Sequence, residues 1–234
     1  MALASEASAR GGRHPTTTRA HLSHVALKLF IEHGFEETTV DDIAHAAGIG
    51  RRTLFRYFPS KNDLPWGDFE VGLEDMRNFL ADLPADLPLV DALFAAIVEF
   101  NRFPAEEIPY HRKRMELLLN VPALVAHSTL RYAAWREVIA DFAAARLGVA
   151  ADSLEPRSIG WIFLGVSLSA YEQWLQHEDA DLIPLIESAL AMRRTMFDAP
   201  ALQGTSHPPD AAGPTAAGPG RTGDGDDLQR SALR

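Results

Sequence analysis

Between Thr38 and Leu64 the chain reads TTVDDIAHAAGIGRRTLFRYFPSKNDL, two short helix-period patterns joined by a glycine-bearing turn. No other stretch restricts the fold so tightly. Val40, Ile43, Ala44 and Ala47 recur at i, i+3, i+4 and i+7, which predicts a short amphipathic helix. Thr38 or Thr39 can cap it by accepting a backbone N–H, and Asp42, three residues past Thr39, suits its first turn. Gly48 stops the helix, because glycine tolerates the left-handed backbone that a tight turn requires. Ile49 can fill the gap between the two helices. Gly50 then opens a second helix with Arg51, Arg52 and Thr53 in its first turn. Leu54, Tyr57 and Phe58 form its packing face, and Pro59 ends it.

In a helix-turn-helix the first residues of the second helix reach base edges in the major groove. Arg51 and Arg52 stand there, and arginine makes the best bidentate contact to guanine. Thr53 and Phe55 can meet a thymine methyl. Arg56, Tyr57 and Lys61 suit phosphate oxygens, which set register without reading sequence. Thr39, at a helix N-terminus, can hold a phosphate as well. The competing reading is a pair of surface helices in an ordinary all-α core, with both arginines merely solvated.

From Ala26 to Leu64 the ordered pieces are an alanine-rich helix, Ala-Gly-Ile-Gly (47–50), Thr-Leu-Phe-Arg-Tyr-Phe (53–58) and Pro-Ser-Lys (59–61). Together they resemble the DNA-binding domain of the TetR family of one-component regulators. The resemblance implies that Thr39, Arg51, Arg52, Thr53, Tyr57 and Lys61 face DNA. It departs from the family at Gly50, often serine, which forfeits a side-chain cap, and at Phe55, often tyrosine, which forfeits a hydroxyl contact. Further along, Trp66-Gly-Asp-Phe69, His111-Arg-Lys-Arg-Met115 and the run Pro122 to Trp135 are similar to a narrower subgroup, the regulators encoded with mycofactocin biosynthesis genes. That resemblance covers about residues 18–197.

A net charge of −10 argues at first against nucleic acid. Its distribution answers this. Residues 1–64 hold eight Lys/Arg and seven Asp/Glu, giving +1, and residues 65–234 hold fourteen and twenty-five, giving −11. A near-neutral reader with its cations on one helix suits a specific site, while an acidic body suppresses indiscriminate attachment. Cysteine is absent, which excludes disulfides, thiol catalysis and thiolate metal sites. No signal peptide opens the chain and no apolar run approaches about 18 residues, so a cytoplasmic chain with no membrane contact is expected.

The architecture expected is all-α, of about nine helices: a three-helix DNA-binding domain at 18–64 and a helical body for ligand binding and dimerisation at 65–198. A flexible arm at 1–17 and a disordered tail at 199–234 flank them. Thr18 to His33 forms the first helix, with Leu22, Val25, Ala26, Leu29 and Phe30 inward and Gly34 at its end. Ser60 and Asp63 mark another helix start, which Pro65 disturbs, so the helix begins irregularly or starts anew at Pro65; it runs to about Leu83, and Pro65 with Gly67 makes a hinge. Helices follow at about 89–100, 106–120, 122–148, 152–176 and 181–197. Ala126, Leu130, Ala133, Ala134, Val138 and Phe142 form the stripe of the 122–148 helix. The 152–176 helix is apolar nearly all round, so it must be buried on several sides.

The basic cluster His111-Arg112-Lys113-Arg114 lies beside Met115, Leu117 and Leu118. Three arrangements fit it: a solvated face, ion pairs with Glu106, Glu107 and Glu116, or a seat for an acidic ligand with an apolar tail. The residues placed to line such a site are Phe100, His111, Arg114, Met115 and Leu118, then His127, Trp135 and Tyr171. For His127 a satisfied core or surface histidine is the competing reading. In the resembled family the last two helices pair with their copies, which implies a homodimer through Trp161, Leu164, Leu168, Leu175, Leu185 and Leu190. Such a pair suits a palindromic operator with half-sites about 34–36 Å apart.

No catalytic triad, metal-ligand set or phosphate-cradling glycine loop is evident, so no enzyme activity, cofactor or metal is expected. His21 and His24 lack a third ligand, and Asp224, Asp226 and Asp227 lack a folded loop. The leading function is a ligand-responsive transcriptional regulator, most often a repressor in the resembled family. Its effector would be a small apolar or acyl-CoA-like molecule, since TetR-type regulators include sensors of fatty acyl-CoA thioesters. The alternative is a constitutive or architectural DNA-binding protein with a filled core.

Overall fold

The computed structural model describes residues 17–198, so the predicted arm, tail and aspartate cluster lie outside the described residues. Those residues contain nine α-helices and no strand: α1 (Arg19–His33), α2 (Val40–Ala46), α3 (Arg51–Tyr57), α4 (Phe69–Asp82), α5 (Leu89–Phe100), α6 (Ile108–Asn120), α7 (Pro122–Leu147), α8 (Leu154–Gln176) and α9 (Leu182–Asp198). A 3-10 helix, Lys61–Trp66, joins α3 to α4.

The N-terminal helices begin and end on local chemistry. Thr18 caps α1 by accepting from His21 N. Thr39, rather than Thr38, caps α2, in a reciprocal box with Asp42. Thr38 is buried and donates its hydroxyl to Gly34 O at 2.7 Å. Gly48 takes φ 66° in the turn between α2 and α3. The inward face of α1 is Leu22, Ser23, Ala26, Leu27 and Phe30, so Leu27 replaces Val25 and Leu29, which are only half-buried.

The stretch expected to begin irregularly after Ser60, or to start anew at Pro65, and to run to Leu83 forms two separate helices. Pro65 cannot donate inside an α-helix, and the chain meets this with the tighter 3-10 form. Gly67 then breaks the path at φ 56°, ψ −126°, and α4 starts afresh at Phe69. Ser23 locks the junction by donating to Leu64 O at 2.7 Å, and a Cβ on Gly67 would stand 3.1 Å from the Ser23 hydroxyl.

In the body, α7 and α8 form the most extensive helix pair. Gly160 makes the close approach possible: a Cβ there would lie 3.0 Å from Arg136 O. A Gly160→Val variant should therefore melt below the wild type, by about 1–3 kcal/mol of overpacking, because a backbone oxygen cannot step aside cheaply. A thermal melt equal to wild type would show that the helices can separate freely. The stripe read for α7 was partly misplaced: Leu130 is 69% exposed and Ala126 is exposed, while Trp135, Val138, Ile139 and Ala143 face inward. On α8, Phe163, Leu164, Ala170, Tyr171 and Trp174 are buried. Trp161 and Ile162 are 59% and 58% exposed, so one face of this helix is open in the single chain.

Candidate functional site

Leu54 and Phe58, each about 1% exposed, seat α3 against α1 and α2. That burial turns Arg51, Arg52, Phe55 and Arg56 outward, and Thr53 is half-exposed beside them. Arg51 pairs with Asp41 at 3.0 Å and lies 5.5 Å from the centre of the Phe55 ring. Both partners of that ion pair are more than half exposed, so it is weak and readily exchanged for another anion. Thr39 is exposed at the start of α2, its hydroxyl on Asp42 at 2.6 Å.

Two residues predicted on this face have structural duties as well. The Lys61 ammonium donates to Phe35 O at 2.7 Å and Thr38 O at 3.1 Å, and sits 4.2 Å over the Phe35 ring. It neutralises the carbonyl-rich turn between α1 and α2. The Tyr57 hydroxyl donates to Thr17 O at 3.0 Å, and Arg19 donates to Tyr57 O. These bonds tie the end of α3 to the start of α1.

Directly after α3 stands a buried ionic cluster. Asp63 Oδ2 accepts from Ser60 N and Ser60 Oγ at 2.9 and 2.7 Å. Its Oδ1 accepts from His127 Nε2 and Arg131 Nη2, both at 2.8 Å, and Arg131 also pairs with Glu70. Burial opposes the charge on Asp63, but hydrogen bonds from Ser60, Arg131 and His127 outweigh it and hold the carboxyl down to about 2. His127 is thus engaged with the linker and does not line the cavity, contrary to expectation. The link between α7 and the 3-10 helix joins residues more than sixty positions apart, and periodicity carries no trace of it.

The cavity has a volume of about 570 Å³. Of the residues predicted to line it, Phe100, His111, Arg114, Met115, Leu118, Trp135 and Tyr171 do so. Its wall also takes in Ala20, His21, Ser23 and His24 of α1, and Trp66, Gly67 and Asp68 of the linker. Leu164 and Leu168, expected at a dimer interface, stand on this wall instead. They share the Tyr171 face of α8, whereas Trp161, Ile162, Gly165 and Ser169 lie on the exposed side. Leu190 is 2% exposed, closed inside the subunit. Trp161 is therefore the predicted interface residue on the open face, with Leu175 and Leu185 half-buried.

The cavity's polar groups are few and specific. His111 stacks on Phe103 at 3.9 Å between ring centres, and its Nε2 meets Tyr171 Oη at 2.8 Å. Tyr171 Oη donates to Asn101 Oδ1 at 2.5 Å, and Asn101 Nδ2 donates to Ile97 O at 2.7 Å. Burial, with Arg114 nearby, pushes the His111 imidazole down to about 3, so it is neutral at pH 7. Burial raises the Tyr171 hydroxyl, so it keeps its proton. Burial also lowers Arg114, against a raising contribution from the charge of Glu107. Four buried polar atoms on this wall have no hydrogen-bond partner among the described residues: Trp66 Nε1, His111 Nδ1, Arg114 Nε and Tyr132 Oη. No three His, Asp or Glu side chains among the described residues group as a metal site, and no described helix is long and apolar enough to cross a membrane.

A short exposed arginine helix seated on two others, continuous with an all-α body around a cavity, defines a helix-turn-helix transcriptional regulator. Residues 22–64 match the profile of bacterial regulatory proteins of the tetR family, and residues 87–206 match the MftR C-terminal domain. The chain belongs to the TetR family. It is 48% identical over 180 residues to MftR of Mycobacterium tuberculosis, a regulator ascribed to mycofactocin biosynthesis, covering 77% of this chain and 91% of that one. Among solved structures, FadR of Thermus thermophilus in complex with lauroyl-CoA aligns at TM-score 0.50 and 23% identity, covering 84% of this chain and 100% of that one. FadR of Bacillus subtilis in complex with stearoyl-CoA aligns at 0.53 and 15%, covering 74% and 95%. At these identities the two structures establish the shared fold. The family's members named here are transcriptional regulators, not enzymes.

Proposed function

We propose that the protein is a cytoplasmic, ligand-responsive repressor of a mycofactocin-type gene cluster. It binds a palindromic operator as a homodimer and is released by an apolar or acyl-CoA-like effector. The observation that carries the effector half is the cavity, whose wall includes α1 and the linker that leads out of α3. An occupant there touches elements that set the position of the reading helix, so differential binding to two arrangements changes DNA affinity. The kinship with MftR supports the target cluster. The acyl-CoA complexes of the two FadR proteins support the effector class.

Arg51 and Arg52 read bases from the start of α3, Thr53 and Phe55 contact thymine methyls, and Thr39 and Arg56 hold phosphates. Tyr57 and Lys61 approach the backbone while bracing the domain. The homodimer forms across the open face of α8 and α9, where Trp161, Ile162, Gly165, Ser169 and Met192 leave apolar surface exposed. A surface of this kind is the usual mark of a protein interface.

Footprinting on the DNA upstream of the neighbouring genes tests the first half. A protected palindrome is expected, and absence of any specific protection there defeats the reading. Titrating the complex with lauroyl-CoA or stearoyl-CoA tests the second half. Release of the operator is expected, and unchanged DNA affinity at saturating thioester removes the effector class.

A further inference from the structure

We propose that His111 presents a fixed hydrogen-bond acceptor to the effector, so that the cavity selects an amphiphile with an anionic head and, close to it, a hydroxyl or amide N–H. This rests on the cavity being the effector site. The argument follows one chain of hydrogen bonds. Asn101 Nδ2 donates to Ile97 O, which turns Asn101 Oδ1, a pure acceptor, toward Tyr171. The single proton of the Tyr171 hydroxyl is therefore committed to Asn101. At 2.8 Å, the Tyr171 oxygen can only accept from His111, so the imidazole proton sits on Nε2. The ring is 6% exposed and neutral. Its Nδ1 is left as a lone pair with no donor among the described residues.

A buried acceptor without a donor is costly. A donor on the occupant removes that cost. Of the wall's other unpartnered atoms, Trp66 Nε1 and Arg114 Nε are donors only, and the Tyr132 hydroxyl can donate or accept. Arg114 follows His111 by three residues on α6, so the two side chains leave the helix as neighbours. The exposed carboxylate of Glu107 at the rim offsets part of the Arg114 charge but makes no ion pair with it. An anionic oxygen at Arg114 and a donor at His111 must therefore be only a few atoms apart. Tyr171 and Asn101 are positioning residues that hold the tautomer.

Calorimetry with the full chain tests this, using dodecanoate, 3-hydroxydodecanoate and 12-hydroxydodecanoate. The 3-hydroxy acid should bind about tenfold more tightly than the other two, the value of one satisfied buried acceptor. In His111→Phe, which keeps a ring against Phe103, the three affinities should converge. In Tyr171→Phe the tautomer lock is lost and the preference should shrink even where thermal melts match wild type, which a merely structural role would not produce. Equal binding of the three acids to the wild type overturns the inference while leaving the effector cavity standing. A preference that survives in His111→Phe overturns it too. If none of the acids binds, the cavity reading falls and this inference falls with it.

Discussion

Changing Arg51 to alanine should weaken operator binding by roughly thirty-fold to twenty-thousand-fold. The range follows from about 1–3 kcal/mol for each bidentate guanine contact, lost once in each half-site of a symmetric pair. The effect should be selective. Arg51 stands at the start of α3 with its ion pair to Asp41 in open solvent. Exchanging that pair for a base edge costs little, so most of the contact energy appears as specificity. Binding to unrelated duplex should change far less than binding to the operator. Arg56, at the far end of the same helix, makes a useful contrast. Its loss should weaken all duplexes alike and lower the salt dependence by about one counterion per site. Gel shifts on specific and random duplex at two salt concentrations separate the two patterns. A uniform loss for Arg51→Ala would reduce Arg51 to a phosphate contact.

Removing the Asp63 carboxylate should give the largest loss of stability. Asp63→Ala leaves Arg131 and His127 without their shared acceptor and Ser60 without its cap. Breaking a buried pair from one side costs about 3–5 kcal/mol, on the order of 10 °C in melting temperature for a chain of this size. The pH dependence has a definite sign. Asp63 titrates at about 2 in the folded chain, below its ordinary value of 3.8. The ionised form is thus favoured by folding. Its contribution is fully present above about pH 4 and is lost as pH falls toward 2. The gap in melting temperature between wild type and Asp63→Asn should be constant from pH 5 to 7 and narrow below pH 4. A gap that widens in acid would contradict this assignment. The same cluster fastens α7, whose Tyr132 and Trp135 line the cavity, to the linker after α3. The Asn variant should therefore also blunt any release of DNA by an effector.

The reader was legible in the sequence because its determinants are local. Thr39, Asp42, Gly48 and Pro59 each act within a few residues, and short-range spacing records them. The cavity was partly legible. A basic cluster beside apolar residues on one helix pointed to His111 and Arg114, but Trp66, Asn101 and Tyr132 became visible only once six helices met. The stripe on α7 slipped because alanine carries little directional signal, and a helix touched on several sides has no single inward face. Leu164 and Leu168 were assigned to a partner for a related reason. On a helix apolar all round, composition cannot say which side belongs to the subunit's own interior. Asp63 is legible as the third-position partner of the Ser60 cap, and that box forms, while its bonds to His127 and Arg131 depend on contacts across more than sixty residues.

The cavity borrows part of its wall from α1 and from Gly67 and its neighbours. On the proposed effector site, the DNA-reading domain therefore supplies part of what would sense the ligand. Grafting a foreign reading head onto this body would replace Ala20, His21, Ser23 and His24, and so would retune chemical preference along with address. Thermodynamic reciprocity extends the point: whatever factor an inducer takes from operator affinity, a bound operator takes from the inducer. Crowded promoters would then desensitise the very molecules occupying them.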